Sequence, residues 1–185
     1  MVFFSSDFHL GHRAIPKYRT RFKDAKEHDE YILQKMEALG KRDILYVIGD
    51  FLFDGPHYEE YIQRIRKMKC RVKLVMGNHD SLELYKEINQ KPQSPEGSIE
   101  IQLPLFSYKN HWIGHAPIIA SELRGRKGQI HGHMHLETLA DRRYFNVNLD
   151  VNDYEFVPFE DIKAYFNKEL SIWEKFKQYL RELTW

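Results

Sequence analysis

The hydrophobic positions of this chain form short apolar runs, separated by longer segments with helical periodicity. Runs rich in β-branched and aromatic residues predict buried strands at Val2 to Ser6, Ile44 to Ile48, Val72 to Met76, His111 to Ile113, Gln129 to His131 and Tyr144 to Leu149. Helical patterns run from about Ala25 to Leu39 and after Pro56, where one stripe holds Tyr58, Tyr61, Ile62, Ile65 and Met68. This alternation predicts a layered α/β fold.

The two remaining segments predict a surface loop and a C-terminal helical region. Gln90 to Ser98 holds two prolines and a glycine without periodicity, which is typical of a loop. From 159 to 185 the pattern is helical, with apolar positions at Ile172, Trp173, Phe176, Tyr179, Leu180 and Leu183. We expect this segment to dock on the sheet. A homodimer contact is the alternative, because tryptophan and tyrosine are enriched in interface cores.

Length and charge limit the possible classes of protein. We expect the 185 residues to form a single domain, residues 1–185. Lysine and arginine number 28 against 27 acidic residues, so the chain has no overall attraction for nucleic acid or an acidic membrane, and an anion must be recognised locally. No apolar run approaches the ~20 residues of a membrane span, and the N-terminus lacks a signal pattern. The expected location is the cytoplasm.

Five short polar motifs follow one another along the chain, each at or just after a predicted strand. They are Asp7-x-His9, Gly49-Asp50, Gly77-Asn78-His79-Asp80, Gly114-His115 and Gly132-His133-x-His135. In layered α/β folds the carboxyl ends of strands border the crevice in which ligands bind. We therefore expect the five motifs to converge on one site.

The spacing within the motifs indicates which side chains act together. In an extended backbone residues i and i+2 face the same side, so Asp7 and His9 can reach one ion, and His133 and His135 can do the same. Adjacent Asn78 and His79 point in different directions, which suits Asn78 to metal ligation and His79 to proton transfer.

The ligand types indicate the metal. Mixed imidazole and carboxylate ligands suit transition ions better than Ca or Mg. Seven candidate ligands exceed the needs of one tetrahedral ion, and a bridging carboxylate would let two ions lie ~3.5–4 Å apart. We expect two divalent transition-metal ions, Mn first, with Fe, Zn, Ni or Co as alternatives. Two such ions beside Asp7 and Asp50 leave a positive pocket that attracts an anion.

The ordered motifs D-x-H, G-D, G-N-H-[DE], G-H and G-H-x-H resemble those of the calcineurin-like metallophosphoesterase family, particularly its small single-domain bacterial and phage members. The resemblance spans Asp7 to His135. It implies an α/β fold with four layers, an αββα sandwich of two mixed sheets flanked by helices. It also implies ligand roles: one metal is held by Asp7, His9 and His135, the other by Asn78, His115 and His133, and Asp50 bridges them.

The resemblance further implies hydrolysis of phosphodiesters or phosphomonoesters. A metal-bound hydroxide attacks phosphorus while His79 assists the leaving group, and Asp80 is the acidic partner of His79. We expect a small phosphate ester, in particular a nucleotide, as the substrate.

Several basic and histidine residues near the motifs have open roles. His12 and Arg13 follow the first motif closely and are expected to contact substrate phosphate. The basic residues Arg13, Lys17, Arg19, Arg21 and Lys23 either line an entrance for a polyanion or form a solvated loop. The basic loop 124–127 lies either near the same rim, selecting substrates, or in a plain polar hairpin. Isolated His28, His57 and His111 are interpreted as structural or surface residues.

Two other functions compete with this interpretation. A nuclease on the same metal centre would need a basic groove with stacking aromatic residues, which Tyr18, Phe51 and Phe53 could supply, but the neutral overall charge argues against it. A non-catalytic interaction module is the other alternative. The intact set of candidate ligands, together with His79, argues against that module.

Overall fold

In the computed structural model, residues 1–53, 57–83, 85–86 and 98–168 are described. Within them the chain forms two mixed sheets and three α-helices, which confirms the predicted α/β class. In chain order the elements are β1 Val2–Ser5, α1 Ala25–Glu37, β2 Ile44–Ile48, α2 Tyr58–Arg66, β3 Arg71–Val75, β4 Ile99–Ile101, β5 Leu105–Tyr108, β6 His111–Gly114, β7 Gly128–His131, β8 Tyr144–Asn146, β9 Val157–Pro158 and α3 Phe159–Asn167.

The first sheet has the strand order β4-β3-β2-β1-β9. Strands β1 to β4 run parallel, and only β9 pairs in the antiparallel direction, at the edge beside β1. Val2 lies opposite Ile44 and Ser5 opposite Val47. The carboxyl ends of β1, β2 and β3 therefore lie at one edge of the sheet.

The second sheet has the order β5-β6-β7-β8, in which β6, β7 and β8 are parallel and β5 is antiparallel to β6. An isolated parallel bridge joins Ser6, just after β1, to Asn148, just after β8. This bridge brings the carboxyl ends of the two sets of parallel strands together.

The two faces of the first sheet pack against different partners. Along β2, Leu45 and Val47 join a buried cluster with Ile32 of α1 and Ile62 of α2, whereas Ile48 joins a second cluster with Ile113 of β6. The first cluster therefore lies between sheet and helices, and the second between the sheets. Each fully buried aliphatic side chain contributes about 1.5–3 kcal/mol to this packing.

Helix α1 has a clear start signal and one buried face. Asp24 precedes it in an extended conformation, and its side chain accepts a hydrogen bond from the Glu27 backbone N–H, which satisfies one of the free donors of the first turn. His28, Asp29 and Ile32 are buried at helical spacing. The helix thus brings two polar side chains, as well as apolar ones, into the protein interior.

The strands predicted from the apolar runs are present; β2 matches its run, and the ends of the others are displaced by one to three residues. The short strands β4, β5 and β9 were not predicted. Of the predicted loop, only Ser98 lies within the described residues, and the C-terminal segment is described only to residue 168, so its docking and the homodimer contact remain predictions. No helix in the described part of the chain is long and apolar enough to span a bilayer.

Candidate metal centre

The loops that follow five strands carry the predicted ligands to one place. Asp7 and His9 follow β1, Asp50 follows β2 and Asn78 follows β3. In the second sheet His115 directly follows β6, and His133 and His135 follow β7. The parallel strands of both sheets end here, so the predicted convergence of the motifs is observed.

One group of candidate ligands consists of Asp7, His9 and His135. One ligand atom from each lies within 4.8 Å of the others. Asp7 Oδ1 is 4.0 Å from His9 Nε2 and 3.8 Å from His135 Nε2, and the two imidazole rings stack with centroids 5.3 Å apart. The three side chains therefore surround a common point.

The second group surrounds the amide oxygen of Asn78. That oxygen lies 2.9 Å from His115 Nε2 and 3.0 Å from His133 Nδ1. Asp50 Oδ2 lies 3.4 Å from His115 Nε2 and 3.8 Å from His9 Nε2. Asp50 is thus located between the two groups.

Five of the seven predicted ligands have backbone conformations that L-residues rarely adopt. Positive φ angles occur at Asp7, His9, Asp50, His133 and His135, between 48° and 70°. Non-glycine residues are strained in this region by about 1–3 kcal/mol, and such strain concentrates at functional sites. The fold therefore holds these side chains in place against a local energetic cost.

Gly132 occupies a position beside the candidate ligands where no side chain would fit. A Cβ atom at this position would lie 2.2 Å from Ser6 Oγ and 2.5 Å from Asp7 Oδ2. The next residue, His133, donates its backbone N–H to Asp7 Oδ2 at 3.0 Å. The loop after β7 is thereby fixed against the Asp7 carboxylate.

Burial and charge set the protonation of the ligands. Burial lowers the pKa of His9 to about 3, despite the nearby Asp50 carboxylate, so this imidazole is neutral and has a free lone pair at neutral pH. Burial raises the pKa of Asp7. Burial also acts to raise the pKa of Asp50, but its hydrogen bond with His115, the charge on that histidine and the hydrogen bond from the His79 backbone N–H lower it more. The pKa of Asp50 therefore falls to about 2.

Two buried ligand atoms have no hydrogen-bond partner among the described residues: Asp7 Oδ1 and His9 Nε2. A buried polar atom without a partner costs about 1–3 kcal/mol. Both atoms face the point shared with His135, and a cation there would satisfy them together. The donor set of imidazole nitrogens, carboxylates and an amide oxygen fits a divalent transition ion.

His79 lies beside the ligands with its side chain in the open cleft of the site. Its ring stacks on Phe53 with centroids 5.6 Å apart, and it makes an edge contact with the His9 ring, also at 5.6 Å. Its backbone N–H donates to Asp50 Oδ1. The exposed ring is therefore adjacent to the candidate ligands without belonging to either group.

Asp80 contacts backbone rather than the His79 ring in the hydrogen bonds that the structure shows. Its carboxylate accepts the backbone N–H groups of Asp50, Phe51 and Gly77 at 2.8–2.9 Å, and the Tyr85 hydroxyl at 3.0 Å. Asp80 thus ties the loop after β3 to the loop that carries Asp50. The expectation that it supports His79 directly remains a prediction.

A buried polar network behind His135 was missed in the sequence. His135 Nδ1 lies 2.8 Å from Asp150 Oδ2, and Arg19 binds the same carboxylate through Nε and a terminal nitrogen at 2.7 and 3.0 Å. Arg19 also donates to the carbonyl oxygens of Asp7 and Phe8. With His135 Nδ1 bonded to a carboxylate, Nε2 is the nitrogen that faces Asp7.

The network continues to α1. The other terminal nitrogen of Arg19 lies 2.8 Å from His28 Nε2, and His28 Nδ1 lies 2.8 Å from Asp29 Oδ1. The second oxygen of Asp29 accepts the backbone N–H of Gly11. One feature of the sequence does point to Asp150 as a site residue: it closely follows a buried strand, as the candidate ligands do.

The structure separates the other basic candidates. His12 lines the cleft, whereas Arg13 is exposed and does not. Arg19, expected at an entrance or in a solvated loop, is instead only 3% exposed, because its charge is paired with Asp150. The loop 124–127 is not a hairpin, because it lies between the parallel strands β6 and β7. Its Arg126 packs over the Trp112 ring and its Lys127 bonds to Asn167, and none of its residues lines the described cleft.

Comparison with known proteins gives the family. A family model described as calcineurin-like phosphoesterase matches residues 2–178. The chain belongs to the calcineurin-like phosphoesterase family. The family description is that of a phosphoesterase, and the candidate ligand groups fit a metal-dependent member.

Two curated relatives are similar over part of this calcineurin-like phosphoesterase. The zinc-dependent endopolyphosphatase of Saccharomyces cerevisiae is 28% identical over 68% of the chain, and a probable cyclic nucleotide phosphodiesterase of Coxiella burnetii is 27% identical over 45%. The matches span 39% and 33% of the length of those relatives. A solved structure of a protein of unknown function from Aquifex aeolicus has a TM-score of 0.66 and 25% identity, covering 89% of this chain and 98% of that one. The predicted fold family is confirmed.

Proposed function

We propose that this chain hydrolyses phosphodiesters or phosphomonoesters of small nucleotides at a centre of two divalent transition-metal ions, with Mn as the first candidate. The observation that carries this proposal is the position of Asp50 between two groups of ligand atoms. Asp7, His9 and His135 would hold one ion, Asn78, His115 and His133 the other, and Asp50 would contact both. Such ions, when bound, would polarise phosphate oxygens and lower the pKa of water toward 7.

The chain's own residues would orient the ester and move the proton. His79 is exposed in the cleft, beside the ligands, and its ring is held against Phe53. From there its imidazole N–H would donate to the departing ester oxygen. Asp80 would hold the Asn78 and Asp50 loops in register through the backbone N–H groups it accepts, and His12 would contact the substrate from the cleft wall.

The test separates metal binding from proton transfer. The metal-free protein is loaded in turn with Mn, Fe, Co, Ni or Zn, its metal content is measured, and turnover is recorded with monoesters, linear diesters and cyclic nucleotides. His79→Ala should keep two ions per chain and lose about 10²–10⁴-fold in kcat with natural esters, because a positioned acid contributes that much.

His57→Ala is the matched control, since His57 is an exposed histidine outside the site. It should keep both metal content and kcat. A content of one ion per chain at saturation would reject the two-metal centre. An unchanged kcat of His79→Ala with natural esters would reject the role of His79 in proton transfer.

A further inference from the structure

A cleft of about 1080 Å³ extends from His9 and His79 to Tyr154. Small-molecule sites commonly measure about 300–1,000 Å³, so this cleft can hold much more than a phosphate group. The candidate ligands His9 and His135 form only a small part of its lining. The remainder of the lining is therefore available to contact the part of a substrate beyond the phosphate.

The charges that line this cleft balance. Three cationic side chains, Lys17, Arg19 and Arg21, are matched by three anionic ones, Glu137, Asp150 and Asp153. Arg19 is paired with Asp150 at 2.7 Å, and Arg21 with Asp153 at 3.6 Å. A chain of further phosphates would need an excess of positive charge along its path. The cleft beyond the metal centre does not provide one.

The remaining lining offers rings and apolar side chains. Tyr18, from the segment after β1, is 75% exposed, and Leu136, from the loop after β7, is also 75% exposed. Between the site and Tyr18, the His12 ring packs edge-on against Phe53 with centroids 4.5 Å apart. Exposed aromatic rings beside a phosphate site are suited to stacking on a flat, uncharged base.

We propose that this cleft is a nucleoside subsite, in which the base of a nucleoside phosphate ester packs against Tyr18 and Leu136. The proposal rests on the proposed function, because the candidate metal centre would hold the phosphate. It names the substrate class: esters that carry a nucleoside on the phosphate are preferred, and polyphosphate chains are not.

A pair of ligands that differ only in the base tests the subsite. AMP and ribose 5-phosphate carry the same phosphate and sugar, and their binding is measured by calorimetry beside inorganic phosphate. The full chain carries His79→Ala and is loaded with Mn, so that neither monoester is hydrolysed during the titration. We expect AMP to bind roughly 5- to 150-fold more tightly than ribose 5-phosphate, which is the range of one stacked base.

Variants of the cleft lining test which side chains cause the preference for AMP over ribose 5-phosphate. Tyr18→Phe keeps the ring and should keep the preference for AMP, whereas Tyr18→Ala should lose most of it, and Leu136→Ala should reduce it. Leu103→Ala is the matched control, because Leu103 is a similarly exposed leucine, at 70%, outside the cleft lining. It should leave the AMP preference unchanged.

The outcomes separate this subsite from the proposed function. Equal affinities for AMP and ribose 5-phosphate, with inorganic phosphate still binding, would overturn the subsite alone. A higher kcat/KM for tripolyphosphate than for nucleoside esters would overturn it too. Absence of phosphate binding and of turnover with every ester would overturn the proposed function, and the subsite with it.

Discussion

Replacing Asp150 with asparagine removes the carboxylate that joins His135 to Arg19. Asp150 Oδ2 is shared by His135 and Arg19, and Oδ1 accepts a second hydrogen bond from Arg19. Asparagine offers one acceptor oxygen and an amino group that only donates. It cannot serve both neighbours, because each of them presents N–H groups at this point.

The expected loss of stability follows from burial. Arg19 is 3% exposed, so Asp150→Asn leaves a buried guanidinium without its counter-charge, which costs about 3–5 kcal/mol. The pKa of Asp150 lies far below its usual value, because hydrogen bonds and charges from His135 and Arg19 outweigh burial. A depressed carboxyl pKa stabilises the fold above the unfolded pKa of about 3.9, so the full effect is present at pH 7 and is lost as the pH falls below that value.

The same substitution should weaken one metal position and not the other. His135 relies on Asp150 to orient its ring, and losing such a partner typically lowers metal affinity 10- to 100-fold. The corresponding partner of His115 is the carbonyl oxygen of Ile48, 2.9 Å from Nδ1, which the substitution leaves in place. We therefore expect a biphasic Mn titration in which only one phase moves.

Urea unfolding of the metal-free protein and calorimetric Mn titration measure the two effects. Asp153→Asn is the matched control, because the Asp153 side chain is 96% exposed and its change should stay within about 0.5 kcal/mol. If Asp150→Asn were as mild as Asp153→Asn, or if both metal phases weakened equally, the assignment of Asp150 as the positioning partner of His135 would be wrong.

Three further predictions concern other parts of the fold. Asp80→Asn places an amino group against backbone N–H donors and should lower the free energy of unfolding by about 1–3 kcal/mol in urea. Gly49→Ala should lower the free energy of unfolding by about 1–3 kcal/mol more than Gly125→Ala does. Both glycines have a positive φ, but only at Gly49 would a Cβ collide with a neighbour, His115, at 2.3 Å. Burial lowers the pKa of His28, so this residue should contribute up to about 1.4 kcal/mol to the loss of stability from pH 8 to 5.5, in addition to other buried histidines such as His9, and the stability of His28→Asn should fall less over that range.

These three predictions fail in different ways. Tyr85→Phe, which keeps the carboxylate of Asp80 and removes one donor, should be milder than Asp80→Asn, and a reversed order would contradict the backbone role of Asp80. Equal losses of stability in the two glycine variants would mean that the positive φ, and not the contact with His115, causes the effect. Parallel pH profiles for wild type and His28→Asn would show that His28 does not titrate on unfolding.

The strand ends that carry the ligands could be predicted because they depend on local patterns. β2 matches its apolar run residue for residue, and the polar motifs directly follow buried runs. Strand β5 was not predicted because its residues alternate between exposed and half-buried and so form no buried apolar run. Strand β9 was not predicted because it has only two residues, one of them a proline at a sheet edge.

The buried network could not be predicted, because it depends on tertiary register. Arg19 and Asp150 are 131 residues apart in the chain, and an arginine in a run of basic residues has the pattern of a surface loop. The positive φ angles at five candidate ligands, none of them glycine, were not predicted from the sequence either. The candidate ligands were thus predictable by type and spacing, whereas the residues that hold them in place were not.

In the proposed centre, two divalent cations share the Asp50 carboxylate. Anomalous diffraction from crystals of the full chain loaded with Mn would locate both ions. We expect two anomalous peaks on either side of Asp50, one beside Asp7, His9 and His135 and the other beside Asn78, His115 and His133. A single peak, or peaks away from Asp50, would contradict it.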